Sequence, residues 1–523
     1  MSMIGDQGSG TRPVCFELAG RKRADGRQDS GAQPRRPRGP GTLLVGTALT
    51  VRQLLPSLMT MEPAPTLLGC LLPKPAILPL AVLGSFDQLE TLAAQPSVKQ
   101  VLVTLPAVMQ EQLDRISETL DRLGVSWRYL PPLADQMAGL STPRQARPGL
   151  TERRPRGVDP AQLIDRQPQP LDEVPIRQRI TGRTVLISGA GGSIGSELAQ
   201  LVARFEPERL VLVERSENAL FEIDRQIQRR FPTLKREARL HDVTQRKRTH
   251  QLIEQIRPSV IFHAAAHKHV PMMEEHPSEA VENNFYGTRS IADAADAAGC
   301  ERFVMISTDK AVNPSSVMGA SKRLAELYIR HLDQSSATTF CMVRFGNVLG
   351  SACSLIPIWT DQLAQGGPIT VTHPQMTRYF MTIPEAAGLV VQAGTYARGG
   401  EVFLLDMGQP IRILDMADRF LRLHGFAPDV DVKIQITGPR PGEKLFEELA
   451  YHGEDMLPTP HPSIRLWRTS PVDAGQMQQI IATFDRLRNK DVDGRSTWSD
   501  TPSLAVVTAL RSLLPEMVAA AAG

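Results

Sequence analysis

Cysteine is scarce and scattered in this chain of 523 residues. The five cysteines stand at positions 15, 70, 300, 341 and 353, and they form no CxxC pair. Such spacing predicts neither a disulfide framework nor a structural zinc site. No cluster of histidine, aspartate and glutamate favours a catalytic metal either. Because few, unpaired cysteines are typical of a reducing compartment, we expect the protein in the cytoplasm.

The chain also lacks a strong net charge and an uninterrupted apolar run. Its formal charge of +3 is small for this length and argues against nucleic-acid binding as the main task. The amino terminus is polar before any apolar run, which does not fit a secretory signal. The most apolar stretch, Leu67–Gly84, contains Lys74 and three prolines. We therefore expect no integral membrane segment.

Length and composition predict several domains. Residues 1–40 are rich in glycine, arginine, proline and serine, and they predict a disordered basic tail, with a weak anchor to an anionic surface as the alternative. Residues 41–135 predict a small α/β unit, and residues 136–175 a polar linker. In residues 176–523 strands and helices alternate at short intervals. This alternation predicts an α/β fold with a doubly wound parallel sheet.

The unit at 41–135 has few glycines where a nucleotide would bind. Gly46 alone stands in its first strand-to-helix turn, whereas dinucleotide-binding turns carry several glycines. We therefore expect this unit to bind partners or nothing rather than a dinucleotide. Its predicted strands are Thr42–Val45, Gln100–Leu105 and Val125–Tyr129, and its predicted helices are Val51–Leu58 and Ala107–Leu123.

A glycine-rich turn follows the apolar, β-prone run Thr184–Ser188. Gly189, Gly192 and Gly195 have the GxxGxxG spacing, which permits a tight turn, close approach of a pyrophosphate and close helix–strand packing. A helix is predicted next, at Ser196–Arg204, and its amino terminus would offer free N–H groups to phosphates. The motif therefore predicts a dinucleotide site.

The following strands supply further candidate contacts to the dinucleotide. Glu214 ends a strand predicted at Arg209–Val213, nineteen residues after Gly195, and an acid at that distance can hold the adenosine ribose. Arg215 could instead meet a 2′-phosphate, so NAD and NADP stay open. The full set of expected cofactor contacts is Gly189, Gly192, Ser193, Ile194, Gly195, Glu214, Arg215, Asp242, Val243, Ala264, Ala265, Ala266 and Lys322.

An acid and a base stand side by side after the predicted strand Phe303–Ile306. Asp309 and Lys310 would lie at the carboxyl end of the sheet, where ligands bind in open α/β folds. Lys322 follows Met318 by four residues, so the two share one face of the next helix. A methionine cannot transfer a proton, and Asp309 and Lys310 are the candidates to do so.

Ordered segments along the chain resemble one family. They read GAGGSIGSE, HAAAHKHVPMME, NNFYGT, STDKAVNPSSVMGASKRLAE, RFGNVLGS, VTHPQMTRYFMTIPEA, LLDMGQP and TGPRPGEKLFEEL. Together they resemble the UDP-N-acetylglucosamine 4,6-dehydratases of polysaccharide biosynthesis, which are extended short-chain dehydrogenase/reductases. The resemblance covers about residues 176–515. It implies a catalytic domain at 176–523 with an NAD(P)-binding Rossmann fold and a smaller, carboxy-terminal substrate-binding subdomain.

Several features set this chain beside the long form of that family. Short-chain dehydrogenases usually carry a tyrosine where Met318 stands, and the long form lacks it. Residues 41–135 resemble, more loosely, the degenerate Rossmann-like domain that precedes the catalytic domain in long forms. Long forms usually begin with several transmembrane helices, which this sequence does not show. The family's GSVIP is here Cys353–Pro357, with cysteine for glycine, so we expect the loop near the sugar to differ.

The resemblance implies an internal redox reaction in which NAD or NADP is tightly bound and not consumed. Hydride leaves C4 of the sugar, water is lost across C5 and C6, and the hydride returns at C6. Lys310 would be the base at C5 and Asp309 the acid at the C6 hydroxyl. Thr308 would lie near the C4 oxygen and Lys322 at the nicotinamide ribose. The acceptor of the C4 hydroxyl proton stays open between water and Asp309. A lysine base must be neutral, so we expect a lowered pKa for Lys310.

The resemblance also implies a site for a UDP-sugar. Arg378 and Arg440 suit a diphosphate, because guanidinium pairs with phosphate in a fork; a structural salt bridge is the alternative for each. Glu443 is expected to accept the uridine ribose hydroxyls. The expected substrate-binding residues are His267, Lys268, Asn347, Arg378, Arg440 and Glu443.

Two other functions share this scaffold. One is a nucleotide-sugar 4-epimerase or reductase, although epimerases of this fold rely on the tyrosine that Met318 replaces. The other is a catalytically idle, cofactor-bound scaffold. By resemblance alone, Met318 favours retention of configuration at C5. We also expect a homo-oligomer, a dimer or larger, and an amphipathic helix at Ser503–Ala521 that packs on the protein.

Overall fold

The computed structural model of the chain describes most residues beyond position 40. The described residues are 41–61, 64–132, 135, 163–164, 166, 169–449, 456–467, 470–490, 496–498 and 501–517. The basic tail predicted at 1–40 and most of the linker predicted at 136–175 lie outside them.

The strands are numbered in chain order. They are β1 Gly41–Gly46, β2 Leu67–Leu71, β3 Val82–Gly84, β4 Val98–Thr104, β5 Ser126–Tyr129, β6 Thr184–Ser188, β7 Arg209–Glu214, β8 Arg236–Leu240, β9 Val260–His263, β10 Arg302–Ile306, β11 Thr339–Arg344, β12 Asn347–Leu349, β13 Ile369–Val371, β14 Thr377–Arg378, β15 Phe380–Thr382, β16 Glu401–Leu405, β17 Ile411–Arg412, β18 Ile434–Ile436, β19 Met456–Pro458, β20 Ile464–Trp467, β21 Asn489–Lys490 and β22 Ser496–Thr497.

The helices alternate with these strands. The α-helices are Ala48–Met59, Leu89–Ala93, Gln110–Arg122, Glu173–Ile180, Ser193–Ala203, Glu217–Arg230, Arg246–Ile256, Val270–Glu275, Pro277–Ala280, Gly287–Ala297, Val317–Asp333, Leu355–Ala364, Ile383–Tyr396, Ile413–Leu423, Ala474–Leu487 and Ser503–Leu513. Short 3₁₀ turns lie at Phe86–Gln88, Ala107–Met109 and Asp309–Ala311, and a π-helical turn at Val281–Tyr286.

The larger sheet has nine strands in the order β19-β20-β16-β11-β10-β9-β6-β7-β8. In this sheet β8, β7, β6, β9, β10, β11 and β16 pair in parallel, each with its neighbour in the order given. Strands β20 and β19 add an antiparallel edge beside β16. Counted from β6, the first six parallel strands have the order 3-2-1-4-5-6 of a doubly wound sheet. This confirms the predicted fold class. The chain reverses its direction of travel between β6 and β9, and ligands bind at such a switch point.

Helices cover both faces of this sheet because its strands are apolar on both sides. Helices Gly287–Ala297 and Val317–Asp333 pack on one face, and helices Ser193–Ala203 and Ile383–Tyr396 on the other. The bounds predicted for β6 agree with those observed, and β10 begins at Arg302, one residue before its predicted start at Phe303.

The helix after the glycine turn begins at Ser193, three residues before its predicted start at Ser196. The prediction placed all the glycines in the turn. Gly195 instead lies in the first helical turn, where its missing side chain lets the helix pack closely on Gly189.

A second sheet, of five parallel strands, is formed by the amino-terminal unit in the order β3-β2-β1-β4-β5. Its predicted helices form with shifted ends, at Ala48–Met59 and Gln110–Arg122. Its apolar side chains continue into one hydrophobic cluster with Trp359 and Phe420 of the carboxy-terminal half. The two parts of the chain therefore share a core.

Asp431 fixes this contact at the start of helix Ala48–Met59. Its Oδ1 accepts the Ala48 N–H at 2.9 Å, and its Oδ2 accepts the Ala427 N–H at 2.8 Å. The Thr47 hydroxyl donates to the Gly425 carbonyl at 2.8 Å. The helix amino terminus that would face a phosphate in a dinucleotide turn is thus met by a carboxylate of the same chain.

The carboxy-terminal helix ends earlier than predicted, at Leu513, because Leu514 leaves the helical conformation. Val506 and Leu510 are buried in the same cluster as helix Val317–Asp333, so the helix packs on the protein as expected. Among the described residues no helix has the length and apolarity needed to cross a membrane. The apolar stretch Leu67–Gly84 contains β2 and β3 instead.

Candidate active site

A cavity of about 720 Å³ opens at the carboxyl ends of β6, β9, β10 and β11. This is the edge of the sheet at which the sequence places its candidate side chains, and the volume is in the range of small-molecule sites. The predicted residues that line it are Gly192, Ser193, Ile194, Gly195, Ala264, Ala266, His267, Lys268, Thr308, Lys310, Lys322, Asn347, Arg378, Arg440 and Glu443.

The glycine turn at one end of the cavity has the geometry that a pyrophosphate needs. Gly189 has a φ of +69°, and a Cβ there would lie 2.6 Å from the backbone nitrogen of Ala265. A Cβ on Gly195 would lie 1.9 Å from the Gly189 oxygen. Helix Ser193–Ala203 then begins with no acidic residue in its first turn. These residues fit the phosphates of a dinucleotide.

Glu214 lies beside this turn, as predicted. Its Oε2 accepts the Gly191 N–H at 3.1 Å, and its Oε1 accepts the Arg215 and Ser216 N–H groups at 2.9 and 3.0 Å. Arg215 extends to the other side, where it donates to Asn283 and contacts the His267 ring at 3.1 Å. Both Glu214 oxygens therefore accept backbone N–H groups, and neither Glu214 nor Arg215 lines the cavity.

Some expected cofactor contacts do not line the cavity. Asp242 accepts hydrogen bonds from the backbone and the hydroxyl of Thr244, both at 2.9 Å, and so closes a local turn. Val243 is buried in the core beside helix Gly287–Ala297. The backbone of Ala265 packs against Gly189 of the glycine turn. Sequence order placed these residues near the strand ends, but side-chain direction separates them from the lining.

Lys310 and Asp309 form a buried ion pair in the 3₁₀ turn after β10. The Lys310 ammonium donates to Asp309 Oδ1 at 3.0 Å and to Asn347 Oδ1 at 3.1 Å, and it lies 3.4 Å from Glu447 Oε1. Its side chain is 19% exposed, toward the cavity. The predicted acid and base therefore lie together, with a second carboxylate that the prediction did not include.

The predicted lowering of the Lys310 pKa is wrong for this arrangement. Burial lowers the pKa of the ammonium, but Asp309 and Glu447 raise it more, and the net pKa lies above its ordinary value. Arg378 opposes them only in part. The prediction considered desolvation and missed the second anion, because Glu447 lies 137 positions further along the chain.

Asp309 presents one satisfied and one unsatisfied oxygen. Its Oδ1 accepts the Thr308 hydroxyl at 2.9 Å as well as the Lys310 ammonium. Its Oδ2 is buried without a hydrogen-bond partner among the described residues. A Cβ on Gly346 would approach that oxygen to 3.1 Å. A buried carboxylate oxygen without a donor is costly. Asp309 does not itself line the cavity, whereas its neighbours Thr308 and Lys310 do.

Lys322 and Met318 lie on the cavity-facing side of helix Val317–Asp333. The Lys322 ammonium donates to the Ile306 carbonyl at 2.7 Å. Burial lowers its pKa to about 8, although Glu326 acts in the opposite direction. Met318 is 3% exposed and carries no proton to transfer.

A fully buried ion pair fixes these segments relative to one another. Glu326 accepts two hydrogen bonds from Arg344, at 2.7 and 2.6 Å, and one from the Ser307 hydroxyl at 2.7 Å. Glu326 is on the helix of Lys322, Ser307 precedes Asp309, and Arg344 ends β11. One carboxylate thus joins three elements that carry site residues.

The other end of the cavity is basic but already paired. Arg440 and Glu443 bond to each other at 2.7 Å, and Arg378 donates to the carbonyls of Thr377 and Leu445. Lys268 reaches the Ala352 carbonyl at 2.9 Å. The salt bridge that was the alternative for Arg440 is present, and both residues still line the cavity.

A family of polysaccharide biosynthesis proteins matches residues 185–469, more than half of the chain. The chain belongs to this family. It is also 41% identical over 423 residues to the probable polysaccharide biosynthesis protein EpsC of Bacillus subtilis. The match covers 81% of this chain and 69% of that protein. The match confirms the resemblance to polysaccharide biosynthesis proteins that the sequence segments indicated.

Relatives of this family member with named activities match about half of its chain. The UDP-N-acetylglucosamine 4,6-dehydratase (inverting) of Campylobacter jejuni is 30% identical over 275 residues, 51% of this chain and 77% of that one. The UDP-glucose 4-epimerase of Rickettsia canadensis is 32% identical over 279 residues, 52% and 79%. The chain is therefore related to nucleotide-sugar dehydratases and epimerases alike.

A solved structure agrees with the fold of the family member. The structure of Pen from Bacillus thuringiensis has a TM-score of 0.52 and 32% sequence identity, and it covers 56% of this chain and 91% of that one. Among the described residues no group of three or more histidine, cysteine, aspartate and glutamate side chains is placed to hold a metal ion.

Asn284 belongs to the segment NNFYGT and was given no role from the sequence; it does not line the cavity but bonds to His267, which does. It lies in the π-helical turn Val281–Tyr286, a deviation that often marks functional sites. Its amide accepts from the His267 N–H at 2.8 Å and donates to the His267 carbonyl and the Ser321 hydroxyl. It ties the loop after β9 to the helix of Lys322.

Cys353 departs from the family pattern in a position that favours glycine. Its φ is +54°, in the left-handed region, and its side chain is exposed at the cavity. The family glycine fits such a backbone without strain, which gives the expected difference in this loop a physical cause.

Proposed function

We propose that this family member is a nucleotide-sugar 4,6-dehydratase that converts UDP-N-acetylglucosamine to its 4-keto-6-deoxy derivative, for polysaccharide biosynthesis in the cytoplasm. The observation that carries the proposal is the Asp309–Lys310 ion pair: Lys310 lines the same cavity as the glycine turn, and Asp309 is bonded to it. Loss of water needs both an acid and a base at the sugar, whereas oxidation alone does not. The relationship to dehydratases supports it.

NAD or NADP would lie on the glycine turn, with Glu214 at the ribose and Lys322 at the nicotinamide end. When bound, it accepts the C4 hydrogen as hydride and returns it to C6. A cationic Lys322 would favour loss of the C4 hydroxyl proton, because its positive charge stabilises a developing oxyanion. Its pKa of about 8 leaves that charge largely present at pH 7.

Asp309 can move the proton between the sugar hydroxyls. Thr308 donates to Asp309 Oδ1, so a C4 hydroxyl beside Thr308 would pass its proton to that carboxylate. The carboxylic acid so formed would protonate the C6 hydroxyl as it leaves as water. Proton count then balances, because Asp309 gains one proton at C4 and gives one at C6. Met318 needs no part in this sequence.

Lys310 is proposed as the base at C5. Oxidation at C4 makes the C5 proton acidic, and a neutral amine facing the cavity would accept it. Asn347 accepts a hydrogen bond from the same nitrogen and would hold it in position. Release of the Lys310 proton is therefore a required step, because the resting group is an ammonium held by two carboxylates.

Basic side chains at the far end suit a UDP group. Arg378 and Arg440 lie there with Glu443, and the Arg440–Glu443 pair can open to bind diphosphate and ribose separately. His267, Lys268 and Asn347 also line the cavity. We also propose that the protein forms a homo-oligomer.

The experiment is proton NMR of the protein with UDP-N-acetylglucosamine in D₂O, with no added reductant. We expect a new C6 methyl signal with deuterium at C5. A C4 epimer without the methyl would instead support the 4-epimerase alternative, which the relationship to epimerases favours. Binding without either change would support an idle scaffold. The configuration at C5 of the product would decide between retention, which Met318 favours, and inversion.

A further inference from the structure

Glu447 is a buried carboxylate that the mechanism above does not use. It lines the cavity, and its side chain is 3% exposed. Its Oε1 lies 3.4 Å from the Lys310 nitrogen and 3.7 Å from Arg378 Nε. Its Oε2 is buried and has no hydrogen-bond partner among the described residues. Oε1 thus faces the Lys310 ammonium, and Oε2 accepts no hydrogen bond from a described residue.

The charged groups that face Lys310 come from several elements. Asp309 belongs to its own 3₁₀ turn, Arg378 to β14 and Glu447 to the loop after β18, while Asn347 of β12 is neutral. Burial disfavours the ammonium, and the two carboxylates hold it. Removal of a proton from the Lys310 ammonium therefore needs an acceptor among the groups that surround it.

Asp309 cannot be that acceptor during elimination. In the proposed reaction its carboxyl carries the C4 hydroxyl proton to the C6 hydroxyl, and one carboxyl cannot hold a second proton. Glu447 is the other carboxylate within reach of Lys310 among the described residues. Its unpartnered oxygen has room for a proton, and the protonated form would relieve a buried charge.

We propose that Glu447 is a positioning residue that stores the proton of Lys310. In the resting protein its carboxylate holds the ammonium. For the base step, an N–H bond of Lys310 breaks and an O–H bond forms on Glu447, which leaves a neutral amine to take the C5 proton. After the C5 proton is returned, Glu447 gives its proton back to Lys310. Protons balance over the cycle, and no oxidant or reductant is needed.

This inference rests on the proposed function, and it predicts a distinctive pH profile. The Lys310–Glu447 pair holds one proton in both its resting and its active form, so kcat of the unaltered protein should be flat near neutral pH. In Glu447→Gln, Lys310 must lose its proton to solvent. Log kcat should then rise with pH with a slope of about one, which is tenfold per pH unit. Glu447→Asp should restore the flat profile, and KM should change little.

The matched control is Glu448→Gln. Glu448 is the adjacent acid, it accepts from Asn313 at 2.7 Å, and it does not line the cavity. We expect it to keep both the activity and the profile. If Glu447→Gln keeps the profile of the unaltered protein, at full or uniformly reduced kcat, Glu447 is structural and the proposal is wrong.

A second measurement does not depend on turnover. Labelling of Lys310 with an amine reagent at several pH values, read by mass spectrometry, gives the pKa of that amine directly. Loss of the anion at 3.4 Å should lower the pKa by about one to three units in Glu447→Gln. An unchanged pKa would overturn the proposal even if the variant is inactive or UDP-N-acetylglucosamine proves not to be the substrate.

Discussion

Replacement of Glu326 by glutamine should destabilise the protein strongly. The carboxylate is 0% exposed, and it accepts from Arg344 twice and from Ser307 once. The variant removes the negative charge that the Arg344 guanidinium, itself 1% exposed, contacts at 2.6 Å. Breaking such a buried pair costs about 3–5 kcal/mol.

The pKa of Glu326 gives an independent magnitude. Burial alone would raise it, but Arg344, Arg323 and Ser307 lower it from an ordinary 4.5 to about 2. At about 1.36 kcal/mol per pKa unit, this is about 3 kcal/mol of stability at neutral pH. Because the folded-state pKa is lowered, this contribution is full above pH 4.5 and is lost as the pH falls toward 2.

The assay is urea unfolding followed by circular dichroism, at pH 7 and at pH 4. We expect Glu326→Gln to lose about 3 kcal/mol at pH 7, and the difference to shrink by about 1 kcal/mol at pH 4. The control is Glu222→Gln, which removes an exposed ion pair with Arg225 and should change stability by less than about 0.5 kcal/mol. A loss below about 1 kcal/mol for Glu326→Gln, or a pH-independent loss, would refute the reasoning.

Three further predictions follow from the site and its supports. Lys310→Ala should abolish turnover and keep UDP binding in calorimetry, because it removes the proposed base from the cavity. The control is Lys99→Ala, which changes an exposed side chain of β4 and should keep both turnover and binding. Turnover in Lys310→Ala would contradict the role of Lys310 as base. Asp431→Ala leaves a buried N–H group, of Ala48, and a half-buried one, of Ala427, without this acceptor and should cost about 1–3 kcal/mol in urea unfolding; a change below about 0.5 kcal/mol would contradict the contact. Iodoacetamide should inhibit through the exposed, cavity-lining thiol of Cys353, so Cys353→Ser should resist; equal inhibition would contradict this.

The sequence predicted what depends on neighbouring residues. The run Phe303–Ile306 is apolar and bounded by Arg302 and Ser307, so both the strand and its exit toward Asp309 followed from local pattern. The glycine spacing likewise identified the turn between β6 and its helix. In both places the chemistry is determined by residues within one strand-to-helix connection.

What could not be predicted depends on contacts between distant parts of the chain. Glu447 reaches Lys310 from a loop after β18, and without it the direction of the Lys310 pKa came out wrong. Asp431 joins the amino-terminal sheet to the rest through backbone N–H groups, which no side-chain pattern reveals. Asp242 follows a strand as expected, but its Oδ1 accepts a hydrogen bond from the Thr244 N–H in the same turn.

The central claim is that one hydrogen moves within the sugar from C4 to C6. The most direct test is UDP-N-acetylglucosamine carrying deuterium at C4, incubated with the protein in ordinary water. The account predicts that the deuterium appears in the C6 methyl group of the product, as CH₂D in the NMR and mass spectra. A methyl group without deuterium, or deuterium that remains at C4 of an epimer, would contradict it.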